Sequence, residues 1–213
     1  MKSFRQAATI AVSTAGLCTA LAVPGSPVLA APPGDPVQVI ASGFVGPLHL
    51  SVAPNGQIYV ADGFAGQISR VNPKTGSVTP VASDPGGTSG VDVKGGQIFF
   101  TSSFFPESGD AQPATSLKRT TPDGTVTQVA DLLAYELREN PDGQPLGVDD
   151  ADSNPYAVLA LPGRTLVADA AGNDIVEVRA NGSIRTLTVL PVSFAGECGT
   201  APNNGVPNGG CDP

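Results

Sequence analysis

Pro47-Leu-His-Leu-Ser-Val-Ala-Pro54-Asn-Gly56-Gln-Ile-Tyr-Val-Ala-Asp62 returns, altered but in order, as Pro155-Tyr-Ala-Val-Leu-Ala-Leu-Pro162-Gly163-Arg-Thr-Leu-Val-Ala-Asp169. The likeness continues downstream. Gln67-Ile-Ser-Arg-Val71 and Gly76-Ser-Val-Thr-Pro-Val81 match Asp174-Ile-Val-Glu-Val178 and Gly182-Ser-Ile-Arg-Thr-Leu187. A third copy lies between, from Val91-Asp-Val-Lys-Gly-Gly96-Gln-Ile-Phe-Phe100 to Ser116-Leu-Lys-Arg119 and Gly124-Thr-Val-Thr-Gln-Val129. Each copy holds four short runs rich in Val, Ile and Thr, which favour the pleated backbone of a strand. Asn55-Gly56, Asp123-Gly124 and Asn181-Gly182 separate runs and read as hairpin turns of type I′. A four-stranded unit cannot cover both faces alone, so repetition at about forty residues predicts blades stacked around an axis. The fold expected is all-β: a β-propeller of the NHL-like kind, with three blades in this chain.

Two segments interrupt the repeat. Asp131-Leu-Leu-Ala-Tyr-Glu-Leu-Arg-Glu139 sets Leu132, Tyr135 and Leu137 among charges and stops at Asn140-Pro-Asp-Gly143, which predicts a short helix inserted between the second and third blades. Ser102 to Gln112 reads as a long loop. Propellers close with about four to eight blades, and no strand pattern follows Val192. A C-terminal remainder of the ring beyond this chain is the expectation, with pairing of two chains through open blade faces as the alternative.

Residues 1–30 read as a signal peptide: Lys2 and Arg5, an apolar stretch from Ala7 to Val23, a break at Pro24-Gly25 and small residues before the cleavage point at Ala30. The domain layout is then 1–30 leader, 31–193 blades and 194–213 a Gly/Pro/Asn-rich segment, in a protein exported from the cytoplasm. No stretch approaches the ~20 apolar residues of a membrane span. Loss of Lys2 and Arg5 moves the formal charge from −8 to −10, which argues against nucleic acid or an anionic membrane as partner. Cys198 and Cys211 remain after the leader, and oxidation outside the cytoplasm favours a disulfide between them.

Tyr135-Glu-Leu, Asn140-Pro-Asp-Gly143, Asp152-Ser-Asn-Pro-Tyr-Ala-Val-Leu-Ala-Leu-Pro-Gly163 and Val167-Ala-Asp-Ala170 resemble the ScyD/ScyE family of exported NHL-like propellers. The resemblance spans the mature chain and implies a six-bladed ring, with further blades beyond Cys211. It brings no activity with it.

Candidate chemistry is sparse. Asp150, Asp152 and Asn154 have the alternate spacing with which a calcium loop begins. Pro155 and Leu161 stand where an EF-hand requires Gly and Glu, so the segment is either a channel-mouth calcium site or a solvated acidic loop. Asp62 and Asp169 recur at the end of a second strand, with Ser102 at the middle copy, and read as turn or inter-blade hydrogen-bond residues. His49, the only histidine, has no partner motif such as G-x-S-x-G and reads as structural or solvent-facing rather than catalytic. Asn181-Gly-Ser183 fits a glycosylation sequon and a turn alike. No catalytic set and no cofactor fingerprint is visible. The two functions expected are a secreted binding or interaction scaffold for a protein or small molecule and, alternatively, a calcium-dependent hydrolase of the lactonase or gluconolactonase type.

Overall fold

The computed structural model describes residues 37–103, 115–121, 124–143 and 153–191. Blade one comprises β1 (Pro47–Val52), β2 (Ile58–Asp62), β3 (Gln67–Val71) and β4 (Val78–Ser83). Blade two comprises β5 (Val91–Lys94), β6 (Gln97–Ser103), β7 (Thr115–Thr120) and β8 (Val126–Asp131). After the helix α1 (Leu132–Glu139), blade three comprises β9 (Pro155–Leu161), β10 (Arg164–Asp169), β11 (Asp174–Arg179) and β12 (Ile184–Val189). Each sheet is an antiparallel meander in which strands pair in chain order. The first strands gather, β1 beside β5 and β5 beside β9, so the blades fan out from an axis as in a propeller.

Alternation along the strands decides what lies between blades. Ala61 and Ile68 of blade one meet Val91, Ile98 and Phe100 of blade two. Leu117 and Ala130 of blade two meet Val158, Val167, Val176 and Val178 of blade three, with Leu132 and Tyr135 of α1 closing the cluster. Phe100 is fully buried, and covering a side chain of that kind contributes about 1.5–3 kcal/mol. The alternate residues of the outer blades face away: Leu50 and Val52 of β1, Leu159 of β9 and Leu187 of β12 are exposed.

The helix forms where expected, with its boundaries set by side chains. The Asp131 carboxylate accepts from Ala134 N at 2.9 Å and caps the start. Asn140 adopts a left-handed conformation at φ 43° and its N–H closes the last turn onto Glu136 O. Leu133 joins Leu132 and Tyr135 in the buried face, whereas Leu137 is exposed.

The turns differ from the I′ expectation. Asn55 and Asn181 keep negative φ, and only the following Gly56 and Gly182 are left-handed, at φ 78° and 83°. Gly56 N bonds Ala53 O, and Ala53 N bonds Gln57 O, the longer hairpin built on a type I turn. Each Asn carboxamide instead accepts from the backbone two residues on, at Gln57 N and Ser183 N, both at 3.1 Å. The I′ geometry falls at Gly95-Gly96, where φ is 58° and 78°, values that glycine adopts at no steric cost. β6 also runs through Ser103, so Ser102 and Ser103 belong to a strand rather than to the expected loop; residues 104–114 lie outside the described part. So do 1–36 and 192–213, and with them the leader and both Cys198 and Cys211.

Candidate functional site

The meander brings one end of every blade together. In blades one and three the approach to the first strand lies against the turn after the second, and the repeated aspartates fix that approach. Asp62 accepts from Val45 N and Gly46 N, at 2.9 and 2.6 Å, just before β1. Asp169 accepts from Asn154 N and Ser153 Oγ, both at 2.6 Å, just before β9, and also from Ala171 N and Gly172 N. The contacts lie within one blade, so these residues clamp the start of a blade rather than join neighbours. In blade two the Thr101 hydroxyl does the corresponding work, accepting from Gly90 N at 2.8 Å.

A cleft of about 700 Å³ opens at this end. Leu48, Phe64 and Tyr156 give it apolar walls, and Ser89, Ser103 and Asn154 supply polar edges. Phe64 is 83% exposed, an aromatic ring standing in solvent at the rim. A small hydroxyl network forms the neighbouring interior. Ser89 Oγ donates to Pro155 O at 2.5 Å, Thr101 Oγ1 donates to the same carbonyl at 3.0 Å, and Ser89 meets Ser103 Oγ at 3.1 Å. These bonds tie blade two to the start of blade three. The arrangement suits an apolar or aromatic small molecule held by a few hydroxyl contacts.

His49 takes no part in the cleft. Its Nδ1 accepts from Val91 N at 3.3 Å, which fixes the proton on Nε2 and spends the ring on joining β1 to β5. Asp92, which the sequence does not single out, is a stronger link. It accepts from Ser51 Oγ of blade one at 2.7 Å, from Val93 N in its own strand at 2.8 Å and from Ala160 N of blade three at 2.7 Å. The signal present was one acid inside an inner strand, where alternation alone gives no reason for it.

Of the predicted calcium ligands, Asp150 and Asp152 lie outside the described residues. Asn154 is placed at the cleft, its Oδ1 buried without a hydrogen-bond partner among the described residues. Behind it sits an acidic group. Asp174 is almost fully buried, and its Oδ2 accepts from Thr186 Oγ1 at 3.2 Å. Burial, followed by the nearby charges of Asp169 and Asp142, pushes its carboxyl up to about 7. Burial likewise raises Asp169, against the pull of its donors. Among the described residues no three His, Cys, Asp or Glu side chains are spaced to hold a metal ion.

No family model matches the chain, and no curated protein does. Solved structures do resemble it. Virginiamycin B lyase from Staphylococcus aureus is similar at 21% identity over 68% of this chain, with a TM-score of 0.45. The major allergen Mala s 1 of Malassezia sympodialis is similar at 18% over 66%, TM-score 0.44. A protein assigned to the gluconolactonases is similar at 16% over 66%, TM-score 0.44. The chain spans 42%, 47% and 48% of those three proteins respectively. At such identities no residue's role passes across. No helix among the described residues is long and apolar enough to cross a membrane. The chain's own three four-stranded sheets, gathered on their first strands, are the blades of a β-propeller.

Proposed function

We propose that this chain is an exported propeller scaffold that binds a small, largely apolar ligand in the cleft ringed by Leu48, Phe64 and Tyr156. The observation that carries this reading is an open apolar hollow of about 700 Å³ with an exposed aromatic at its rim, since solvent-facing apolar surface of this kind marks contact sites. Ser89 and Thr101 beside it are bound to the Pro155 carbonyl rather than poised for proton transfer, and His49 is engaged by Val91. Export rests on the basic start and small-residue cleavage point of residues 1–30. The likeness to the ScyD/ScyE family accords with a scaffold of this kind.

The test is ligand-observed NMR with a set of small aromatic alcohols, phenol and indole-3-ethanol among them. Binding that vanishes when Phe64 and Tyr156 are both changed to Ala, and survives His49→Ala, is the result expected. Equal binding by the double variant, or turnover that depends on His49, overturns it.

A calcium-dependent hydrolase is the second reading, favoured by the buried Asn154 oxygen that has no partner among the described residues and follows Asp150 and Asp152 in sequence. A bound ion stabilises the folded state. A melting temperature unmoved by millimolar calcium or by chelator removes this reading and leaves the first intact.

A further inference from the structure

At the opposite end of the blades, a second cleft of about 260 Å³ lies between blades two and three. Its lining includes Lys94, Arg119, Arg164 and Arg179 and no acidic residue. The chain as a whole carries only 11 Lys and Arg against 19 Asp and Glu. Gathering four cations on one small hollow therefore runs against the overall balance.

The partners among the described residues do not neutralise them. Glu177, its side chain only 4% exposed, sits between Arg164 at 3.6 Å, Arg179 at 3.4 Å and Arg185 at 3.0 Å. A single carboxylate thus serves three guanidiniums. Arg119 stands on β7 at the deeper side, and its Nε is buried with no hydrogen-bond partner among the described residues. A guanidinium N–H shut away from water and left unbonded is costly, and an ion seated in the cleft would satisfy it. Lys94 is exposed at the Gly95-Gly96 turn, free to swing over the opening. Phe99, Val129 and Val178 complete the wall with apolar surface, which lowers the local dielectric and strengthens any charge pairing.

We propose that this cleft binds a small oxyanion, a phosphate or sulfate group, with Arg119 as its forked donor and Lys94 as a mobile point charge. The planar guanidinium matches two oxygens of such a group, and the ammonium supplies charge without fixed geometry. The volume admits the anion alone or a monosaccharide-sized ester of it. The rim arginines, Arg164 and Arg179, share Glu177 and retain positive charge toward the opening.

The experiment is calorimetric titration of the full chain at low salt with inorganic phosphate, inorganic sulfate and glucose 6-phosphate, against chloride at matched ionic strength. Saturable binding that chloride does not reproduce is expected. Arg119→Gln weakens it at least tenfold, Lys94→Gln weakens it severalfold, and Arg138→Gln on the distant helix leaves it unchanged. Ester binding tenfold tighter than phosphate assigns an esterified group, and equal binding assigns the free ion; both support the site. No heat beyond the chloride control overturns the proposal, as does wild-type affinity in both the Arg119 and Lys94 variants. Should Arg119→Gln fail to fold by circular dichroism, Lys94→Gln at its exposed turn decides.

Discussion

Asp174 is a carboxyl whose surroundings suit its protonated form: buried, flanked by Asp169 and Asp142, with one oxygen on Thr186 and the other without a partner among the described residues. The folded chain holds its proton until about pH 7, while the unfolded chain releases it near the ordinary carboxylate value of 3.8. Between those values the native state binds more protons, so stability falls as pH rises through that window. Asp169 is shifted in the same direction and adds to the slope. The loss attributable to Asp174 is at most about 4 kcal/mol by linkage. Melting temperatures measured from pH 4 to 8 should therefore decline, and Asp174→Asn should flatten the decline and be the more stable form at pH 8. Asp62 behaves in the opposite sense on mutation. Asp62→Ala strands the N–H groups of Val45 and Gly46 and should cost about 1–3 kcal/mol in urea unfolding.

At the scale of elements, α1 is held by three different devices. Asp131 caps it, Asn140 ends it, and the Tyr135 hydroxyl accepts from Thr186 N at 2.8 Å, fastening the helix to β12. Asp131→Ala should cost about 1 kcal/mol, read as a shift in urea midpoint with unchanged slope. The helix and the twelve strands were legible because period and turn residues are local signals. Leu133 in place of Leu137 on the buried face was not, because a helix of 8 residues offers too few turns to fix which stripe faces inward. The turn types were misread for a related reason. Asn-Gly suits I′ geometry, but the loop length set by the paired strands selects a type I turn, whereas Gly95-Gly96 joins Lys94 directly to Gln97 with positive φ at both residues, the two-residue connection that I′ fits.

At the scale of the molecule, the repeat in sequence announced three blades, and the clefts stayed hidden. Both clefts lie where separate elements converge, and the residues that build them, Phe64 and Tyr156 at one end and Arg119 and Lys94 at the other, are far apart in the chain. Nothing in local patterning marks them. Asp92 was hidden in the same way, since its three partners come from three blades. Repeat arrays whose units touch only their neighbours tend to melt unit by unit. Here one carboxylate is bonded to the inner strands of all three blades, so detaching blade one takes Ser51 from Oδ1, which keeps Val93 N, and detaching blade three strips Oδ2 of Ala160 N. Blade fraying is coupled through that single group. The arc should consequently lose its structure in one cooperative step, and Asp92→Ala should split that step into two resolvable heat-absorption peaks by calorimetry.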